Sequence, residues 1–519
     1  MFLVLVIVGV GVVEWGLRQL QPRLRQKVVE TLSARFHSPV ELDRLDISMS
    51  KGILVTGGGL RILYLAGPAR PDAQRGAPPM LSVEHFEFLT GWRELLRPTT
   101  RVVSVKVRGV EVRIPPKQER GEAEDSKKER QPAIGLAVDT IECTDAKVVI
   151  ETSDPKREPL EFVISRVVLK DVGLTKPFNY EATLRNPKPE GDIHSTGHFG
   201  PWKNEEPRET PLDGSYEFTH ADLSSFHGIA GMLSSTGQFN GTLGQIAVEG
   251  SAEVPAFRLD ISDHALPMHA EFKAVVDGMT GDTHIDEVRA RVGRSDVTAS
   301  GAITRSTTAV KGHVVDLHVV MEKGRIEDML ALSTKANPTL LRGALATKTH
   351  LEIPPGPVSV SRKMRLEGTF SIRDAFLNNA KMQQQLDSMS ERAKGKPHLA
   401  NAQDAEVVGS SMSGKFSQAN AVLDVSDLKF AMPGAQVSMD GQVQLVESTF
   451  EFQGKVRTDA TASQMTTGWK SLLVKPFDGL LKKNGAGMEI PIKITGAGST
   501  YDLRLNYPHD TKAPPGLTK

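Results

Sequence analysis

The chain opens with an unbroken apolar run, and a charged helix pattern follows it directly. As a helix at ~1.5 Å per residue, Met1 to Val13 would span only about 20 Å, whereas a bilayer core requires roughly 20 apolar residues. We predict a transmembrane anchor over residues 1–20, which extends past the apolar run to Leu20. The side chains expected to contact the bilayer are Phe2, Leu3, Leu5, Ile7, Val10, Val13 and the interfacial Trp15.

A cleaved signal peptide is the alternative for this stretch. Such a peptide has a basic start and a small-residue cleavage site, whereas here Phe2 follows Met1 and the run ends at Glu14-Trp15. Basic residues from Arg18 to Lys27 follow the run, and the positive-inside rule would place that side in the cytosol. These charges also belong to an amphipathic helix pattern, so the sequence leaves the orientation open.

An amphipathic pattern runs from Leu17 to Phe36, and the helix predicted from it covers residues 21–36. Its apolar side chains recur every four positions, which is a helical period: Leu20, Leu24, Val28, Leu32 and Phe36. We predict a helix here that either closes the end of a β body or lies on a lipid surface.

Beyond residue 36 the pattern changes to period two, which indicates strands with one apolar and one wet face. The clearest case is residues 101–114, where Gly109 is expected to shift the phase of the alternation. The apolar positions of this strand are Val103, Val105, Val107, Val110, Val112 and Ile114.

Gly-rich turns between short alternating segments predict a long antiparallel meander over the rest of the chain. The predicted fold is mainly β: an elongated, twisted antiparallel sheet that forms a groove, with the membrane helix and a few short helices. The predicted regions are an N-terminal β region over 37–211 with charged loops near 115–132 and 186–211, and a C-terminal β-groove region over 212–519 with helices near 324–335, 375–395 and 469–481.

Two of these helices carry an apolar stripe that is expected to pack on the sheet. The first has Ile326, Met329 and Leu330 at helical spacing, and the second has Phe376, Met382, Leu386 and Met389.

Composition narrows the function classes. Lys+Arg and Asp+Glu both number 63, so bulk charge gives no basis for nucleic-acid binding. The single cysteine, Cys143, excludes an intramolecular disulfide. Only 5% of the residues are aromatic, so the predicted apolar faces are aliphatic.

Candidate chemistry is sparse. His194 and His198 have a spacing that brings two metal ligands together on a helix, but Gly191, Gly197 and Pro201 argue against a helix here. Nucleophile elbows, phosphate loops and kinase motifs are absent from the sequence. We therefore predict a protein that is not an enzyme, with no catalytic residues, no metal site and no cofactor.

An apolar sheet face must be buried against something. Acyl chains suit a thin aliphatic surface, because they require no hydrogen-bond partners. The apolar strand faces are equally compatible with an open groove that holds acyl chains and with a closed sandwich of two sheets.

Both ends of the chain resemble the AsmA-like family of envelope proteins. At the start, the resemblance rests on the apolar span followed by LRQKVVETLSARFHSPVELDRLDISMSKGILVTGGGLRI, residues 24–62. Near the end, it rests on residues 443–505, with a strand before a helix at Trp469–Leu481 and then Ile490-Pro491-Ile492-Lys493-Ile494-Thr495-Gly496. The middle of the chain fits only by its β pattern.

The resemblance implies a single-pass inner-membrane protein whose bulk lies in the periplasm. It also implies kinship with repeating β-groove, bridge-like lipid-transfer proteins that shelter phospholipid acyl chains and support outer-membrane biogenesis. On this view, the six apolar side chains of residues 103–114 line the groove. The alternative is a structural factor with a closed sandwich that carries no lipid and acts with an outer-membrane or envelope protein on outer-membrane protein assembly.

Overall fold

The computed structural model describes most of the chain between residues 25 and 505. The described residues are 25–30, 32–34, 38–49, 52–63, 78–91, 101–114, 137–150, 160–173, 176–203, 206–226, 228–307, 310, 312–335, 337–356, 358, 360–400, 407–445, 447, 449–461, 463–465, 487–497 and 500–505.

The protein is mainly β, with open, twisted sheet and a few short helices, as predicted. The chain divides into two compact units. Unit 1 comprises residues 1–225 and 233–248, and unit 2 comprises residues 226–232 and 249–519, so the division falls within a strand.

Unit 1 is built from strands that mostly pair with their sequence neighbours. Both β1 and β2 pair with β3, and β10 pairs with β12. The strands are β1 (Val40–Glu41), β2 (Arg44–Met49), β3 (Ile53–Ile62), β4 (Leu81–Thr90), β5 (Arg101–Ile114), β6 (Ala137–Ile150), β7 (Leu160–Val172), β8 (Phe178–Pro187), β9 (Glu190–Phe199), β10 (Pro211–Asp222) and β12 (Met232–Thr242).

Unit 2 continues as a meander in which each strand from β14 onward pairs antiparallel with the next. Its strands are β11 (Ile229–Ala230), most of β13 (Gln245–Leu259), β14 (Leu266–Val276), β15 (Thr283–Val292), β16 (Ser295–Arg305), β17 (His313–Arg325), β18 (Leu341–Ile353), β19 (Arg365–Leu377), β20 (Ser410–Ala419), β21 (Val422–Met432), β22 (Ala435–Gln444), β23 (Thr449–Thr458), β24 (Met488–Ala497) and β25 (Thr500–Leu505).

Two features of the strands depart from the prediction. The sheet is mixed, because β5 and β6 pair in parallel. The charged loop predicted near 186–211 is wrong over most of its length, since Glu190–Phe199 form β9 and Pro207–Glu209 form a 3₁₀ turn. β9 was missed because Gly191, Ser195 and Gly197 occupy three of its five less exposed positions, and they carry no apolar signal.

The helices of unit 2 lie near two of the predicted positions. They are α1 (Ile326–Ser333), the single turn α2 (Val360–Lys363) and α3 (Ala380–Ala393). The helix near 469–481 and the charged loop near 115–132 lie outside the described residues.

α1 packs partly as its apolar stripe predicts, although its buried residues are Asp328 and Leu332. Ile326 and Met329 contact a buried cluster formed by Met321, Leu345, Ile372 and Ala375, and close one end of the apolar side of the sheet.

α3 does not pack as predicted. Met389 is 56% exposed, and the buried side chains are mostly polar: Gln383, Asp387, Ser390 and Glu391, with Ala393 at the C-terminal end. Asp387 accepts hydrogen bonds from Gln383 Nε2 (2.8 Å) and from the backbone N–H of Val408 (3.1 Å). The backbone N–H of Leu377 at the end of β19 also donates to Gln383 Oε1 (2.8 Å). Hydrogen bonds to β19 and to the segment before β20 therefore hold this helix, which explains why its apolar residues do not mark its buried side.

The N-terminal helix pattern is partly described. Residues 25–30 and 32–34 are helical. Val29 packs against a buried cluster of Leu42, Leu45, Val83 and Phe86, while Val28 is 36% exposed. The contacting face thus includes Val29 instead of the predicted Val28, while Leu32 of the predicted stripe is half-buried.

The predicted anchor at residues 1–20 lies outside the described residues. Within the part of the chain that the structure describes, no helix combines the length and apolar character needed to cross a bilayer.

Five neighbouring strands of unit 1, β3 to β7, share a break in their alternation. On each strand, two residues that face the same side are three positions apart instead of two. The pairs are Gly57 and Leu60, Val83 and Phe86, Val107 and Val110, Cys143 and Ala146, and Ile164 and Val167.

The five breaks lie side by side across the strands, and we call the band that they form the crease. Three residues in it have positive φ: Gly59 (+69°), Gly109 (+65°) and Asp145 (+55°). The predicted phase shift at Gly109 is therefore confirmed, and it belongs to a feature that crosses five strands.

Candidate functional site

One side of the unit 2 sheet is lined by apolar side chains that are only half-buried. Strand β23 shows the pattern: Phe450, Phe452 and Val456 are half-buried, while the charged and polar residues between them are exposed. We call this side the apolar face of unit 2, and the other side its wet face.

Register places these side chains in rows across the strands. On β22, β23 and β24 the rows are Val437–Val456–Ile490, Met439–Gly454–Ile492 and Gly441–Phe452–Ile494. Because paired strands lie about 4.8 Å apart, the rows are continuous.

The degree of burial distinguishes this face from a sandwich core. A second sheet packed at about 10 Å would bury large inward side chains almost completely. Instead, Phe370, Phe416, Phe430 and Phe452 remain half-buried. Within the described strands of unit 2, the large apolar side chains that are almost fully buried are Met321, Leu345 and Ile372 in the cluster that α1 contacts, and Val254, Leu428, Met488 and Ile492 elsewhere.

Glycines shape the surface of this face. A Cβ added at Gly368 would lie 3.0 Å from Cζ of Phe416, and one added at Gly414 would lie 3.1 Å from Cε1 of Phe370. The rings therefore lie over the glycine backbone of the adjacent strand, an arrangement that shields it from water. Phe452 lies over Gly441 in the same way. At Gly368, Gly414 and Gly441, the glycine of one strand thus provides space for a flat aromatic ring of the adjacent strand.

Unit 1 has an apolar face of its own, on which the predicted groove residues can be located. Val107 and Val110 pack against the cluster that Val29 also contacts. Val105 is 9% exposed and stands opposite Phe88. Val112 is half-buried opposite Leu81, and Ile114 is in register with Ile150 at the end of the strand.

Val103 behaves differently from its neighbours. The β4–β5 register skips it, because Leu89 pairs with Ser104 and Thr90 with Val102. As a bulged residue it is 42% exposed. The alternation on β5 alone gives no sign of this bulge, which is set by the partner strand.

Cys143 lies on the same face as Val107. It is paired with Val107 on one side and Val167 on the other. Burial raises the pKa of the Cys143 thiol, and the nearby charge of Asp145 raises it further. The thiol is therefore a poor nucleophile at neutral pH, although it borders the apolar face.

Farther along unit 1, the same face carries hydroxyl groups. The Tyr180 hydroxyl lies 3.1 Å from Ser195 Oγ, and the Tyr216 hydroxyl lies 3.2 Å from Ser235 Oγ. Burial raises the pKa of Tyr180 despite the hydrogen bond with Ser195. This part of the face is more polar than the apolar face of unit 2.

The wet face of unit 2 carries exposed charges. Lys493 pairs with Glu451 at 2.7 Å and Lys455 with Glu489 at 3.0 Å. A cleft of about 810 Å³ on β21–β24 is lined largely by polar residues of this side, including Asp440 and Gln453. Its chemistry suits water and polar groups rather than hydrocarbon.

The histidines considered from sequence do not come together. His194 and His198 are exposed on β9, four positions apart, which in a strand is about 13 Å. His194 Nδ1 lies 3.2 Å from Thr183 Oγ1, and His198 Nδ1 lies 2.9 Å from Asp213 Oδ2.

The sequence interpretation did not single out the half-buried phenylalanines of unit 2. For Phe370, Phe416 and Phe452 the signal is a Gly directly opposite on the adjacent strand, and it becomes visible only with the strand register.

No family profile, curated protein or solved structure matches this chain.

Proposed function

We propose that the protein shelters lipid acyl chains on its apolar sheet face. The observation that carries the proposal is the row of large apolar side chains on β19–β24 that remain half-buried in the folded chain. Monomeric soluble proteins rarely expose a contiguous apolar patch above a few hundred Å², and larger patches mark binding surfaces.

The dimensions fit hydrocarbon. One leaflet is half of a bilayer core of about 30 Å, so three to four strands at about 4.8 Å spacing span one acyl chain. Each buried CH₂ contributes roughly 0.8 kcal/mol. The face offers rings and aliphatic groups, which match a ligand with no hydrogen-bonding groups.

The proposal places the chain at a membrane that supplies the lipid. Residues 1–20 would anchor it in the inner membrane and hold the β units in the periplasm, with envelope biogenesis as the process served. The apolar run at the start of the sequence and the resemblance of both ends to AsmA-like proteins support this placement.

Photo-crosslinking tests the lipid-binding face. The full chain is incubated with vesicles that contain a phospholipid bearing a photoactivatable group in its acyl chain, and the label on the protein is measured. Phe452→Asp places a charge on the apolar face and is expected to lower labelling of unit 2 several-fold. Gln453→Asp, one residue further on the wet face, is the matched control and is expected to label like the parent chain.

Circular dichroism of both variants distinguishes the possible failures. Equal labelling of folded Phe452→Asp, Gln453→Asp and parent chains would contradict the proposal. Unfolding of Phe452→Asp alone would show that the face is a covered core, as in a closed sandwich. The proposal therefore predicts a folded variant that has lost its label.

A further inference from the structure

Two histidines and an aspartate meet on the wet face of unit 2. Asp316 and His318 are two positions apart on β17, so their side chains project from the same side of the strand. His350 stands directly opposite His318 on β18. The ligand atoms of the three side chains all lie within 4.8 Å of one another.

The contacts within this cluster are specific. His350 Nε2 lies 2.8 Å from Asp316 Oδ1. The rings of His318 and His350 are stacked, with centroids 4.8 Å apart and planes 21° apart. Asp316 and His318 are exposed and His350 is half-buried, so ions in solution can reach all three.

The register supplies one further oxygen donor. Glu367 on β19 stands directly opposite His350 and is exposed. Glu352, beside the cluster on β18, is instead paired with Arg365 at 3.2 Å. Glu367 is therefore the neighbouring carboxylate placed to approach an ion held by the two imidazoles.

We propose that Asp316, His318 and His350 form a binding site for Zn²⁺. Tetrahedral zinc with bonds of about 2.0–2.1 Å needs ligand atoms roughly 3.3 Å apart. Ligand atoms already within 4.8 Å reach that spacing by small side-chain rotations, which the exposed positions allow. The fourth position is left to water or Glu367.

The donor set selects the class of metal. Imidazole nitrogens suit zinc and its transition-metal neighbours, whereas Mg²⁺ and Ca²⁺ prefer a shell made of oxygen ligands. Two imidazoles and one carboxylate also match the protein ligands of open zinc sites, in which a water completes the coordination.

The site connects two strands and lies on the side of the sheet opposite the proposed lipid surface. Bound Zn²⁺ would link β17 to β18, so it stabilises the folded chain by mass action. The inference is independent of lipid binding, because none of its three ligands lies on the apolar face.

Zinc titration of the full chain tests the site, with a chromogenic chelator as competitor. The parent chain is expected to bind one Zn²⁺ that His318→Gln and His350→Gln weaken by more than about tenfold, since even loss of a residue that only orients a ligand weakens metal binding 10–100-fold. Zn²⁺ is also expected to raise the melting temperature of the parent chain and not that of the two variants.

His198→Gln is the matched control, because its imidazole also contacts a carboxylate, Asp213, at 2.9 Å. It is expected to leave the high-affinity zinc unchanged. Circular dichroism without metal checks that all variants fold. Equal affinity in the parent chain and the folded His318→Gln/His350→Gln double variant would overturn the proposal, as would a parent chain that binds no zinc.

Discussion

Phe416 on β20 stands opposite Gly368 on β19, and two positions away Phe370 on β19 stands opposite Gly414 on β20. The two rings are 6.3 Å apart and tilted by 48°. Each strand thus contributes one ring and one bare stretch of backbone, and each ring lies over the other strand's glycine. This reciprocal arrangement forms a continuous aromatic patch on the apolar face.

The two glycines of this patch are expected to respond differently to a methyl group. In Gly368→Ala the new Cβ meets the carbonyl oxygen of Lys348 and lies 3.0 Å from Cα of Thr349, both backbone atoms that cannot yield. We expect a loss of about 1–3 kcal/mol in the free energy of unfolding, typical of overpacking.

Gly414→Ala is the control in the same unit, because its Cβ meets chiefly the far edge of the Phe370 ring, at 3.1 Å. Its expected cost is below about 1 kcal/mol. Urea unfolding followed by circular dichroism measures both, and equal losses would contradict the closer backbone contacts at Gly368.

Two valines of β5 are expected to tolerate a charge unequally. Val105→Asp loses about 1.5–3 kcal/mol of apolar burial and must also desolvate a carboxyl group. Val103→Asp is expected to have little effect on stability, because the bulge leaves Val103 42% exposed. Thermal unfolding of the two variants compares them, and a Val103 variant as unstable as the Val105 variant would argue against the bulge.

Cys143 provides a pH test of its surroundings. Because burial and Asp145 raise the pKa of the thiol in the folded chain, its reactive thiolate forms only at higher pH than in the unfolded chain. Maleimide labelling of the folded protein should therefore increase over a higher pH range than labelling in urea. Identical pH profiles in the two states would show that Cys143 is as solvated as in the unfolded chain.

Lipid is expected to protect the same thiol. Vesicles should slow the labelling of Cys143 if acyl chains cover the apolar face of unit 1. A chain with Cys143→Ser and Glu142→Cys carries its thiol one position away, on the other side of β6, and is expected to react at the same rate with and without vesicles. Protection of both thiols would indicate general association with the membrane rather than coverage of one face.

The polar anchoring of α3 gives a further comparison. Asp387→Ala leaves the backbone N–H of Val408 and the amide of Gln383 without their carboxylate acceptor. An unsatisfied buried donor costs about 1–3 kcal/mol, and we expect a loss of that size in chemical unfolding. Met389→Ala should change stability by less than about 0.5 kcal/mol, since the side chain is 56% exposed. A larger effect at Met389 would favour the apolar stripe predicted from sequence.

Local periodicity predicted much of the fold because each strand exposes one side to water. The alternation at residues 101–114 corresponds to β5, and the stripe of Ile326 and Met329 identifies the packed face of α1. These features depend only on neighbours along the chain, so the sequence contains them directly.

Features that depend on a partner strand were not predictable in this way. Alternation is the same in parallel and antiparallel strands, so it gave no sign that β5 and β6 run in parallel. The bulge at Val103 depends on how β4 pairs, and the His318–His350 contact on how β17 pairs with β18. β9 escaped detection because glycine and serine replaced apolar residues at three of its five less exposed positions.

The crease also limits which insertions and deletions the strands of unit 1 can accept. On each strand from β3 to β7, the residues on the apolar face have odd numbers on one side of the crease and even numbers on the other, as Val107 and Val110 show. Removing Gly109 would make β5 a regular alternating strand, but β4 and β6 would keep their breaks, so the pairing register of β5 with both neighbours would slip by one residue on one side of the crease. A single-residue insertion or deletion in one of these strands should therefore be tolerated only when a matching change in the neighbouring strands restores the pairing register.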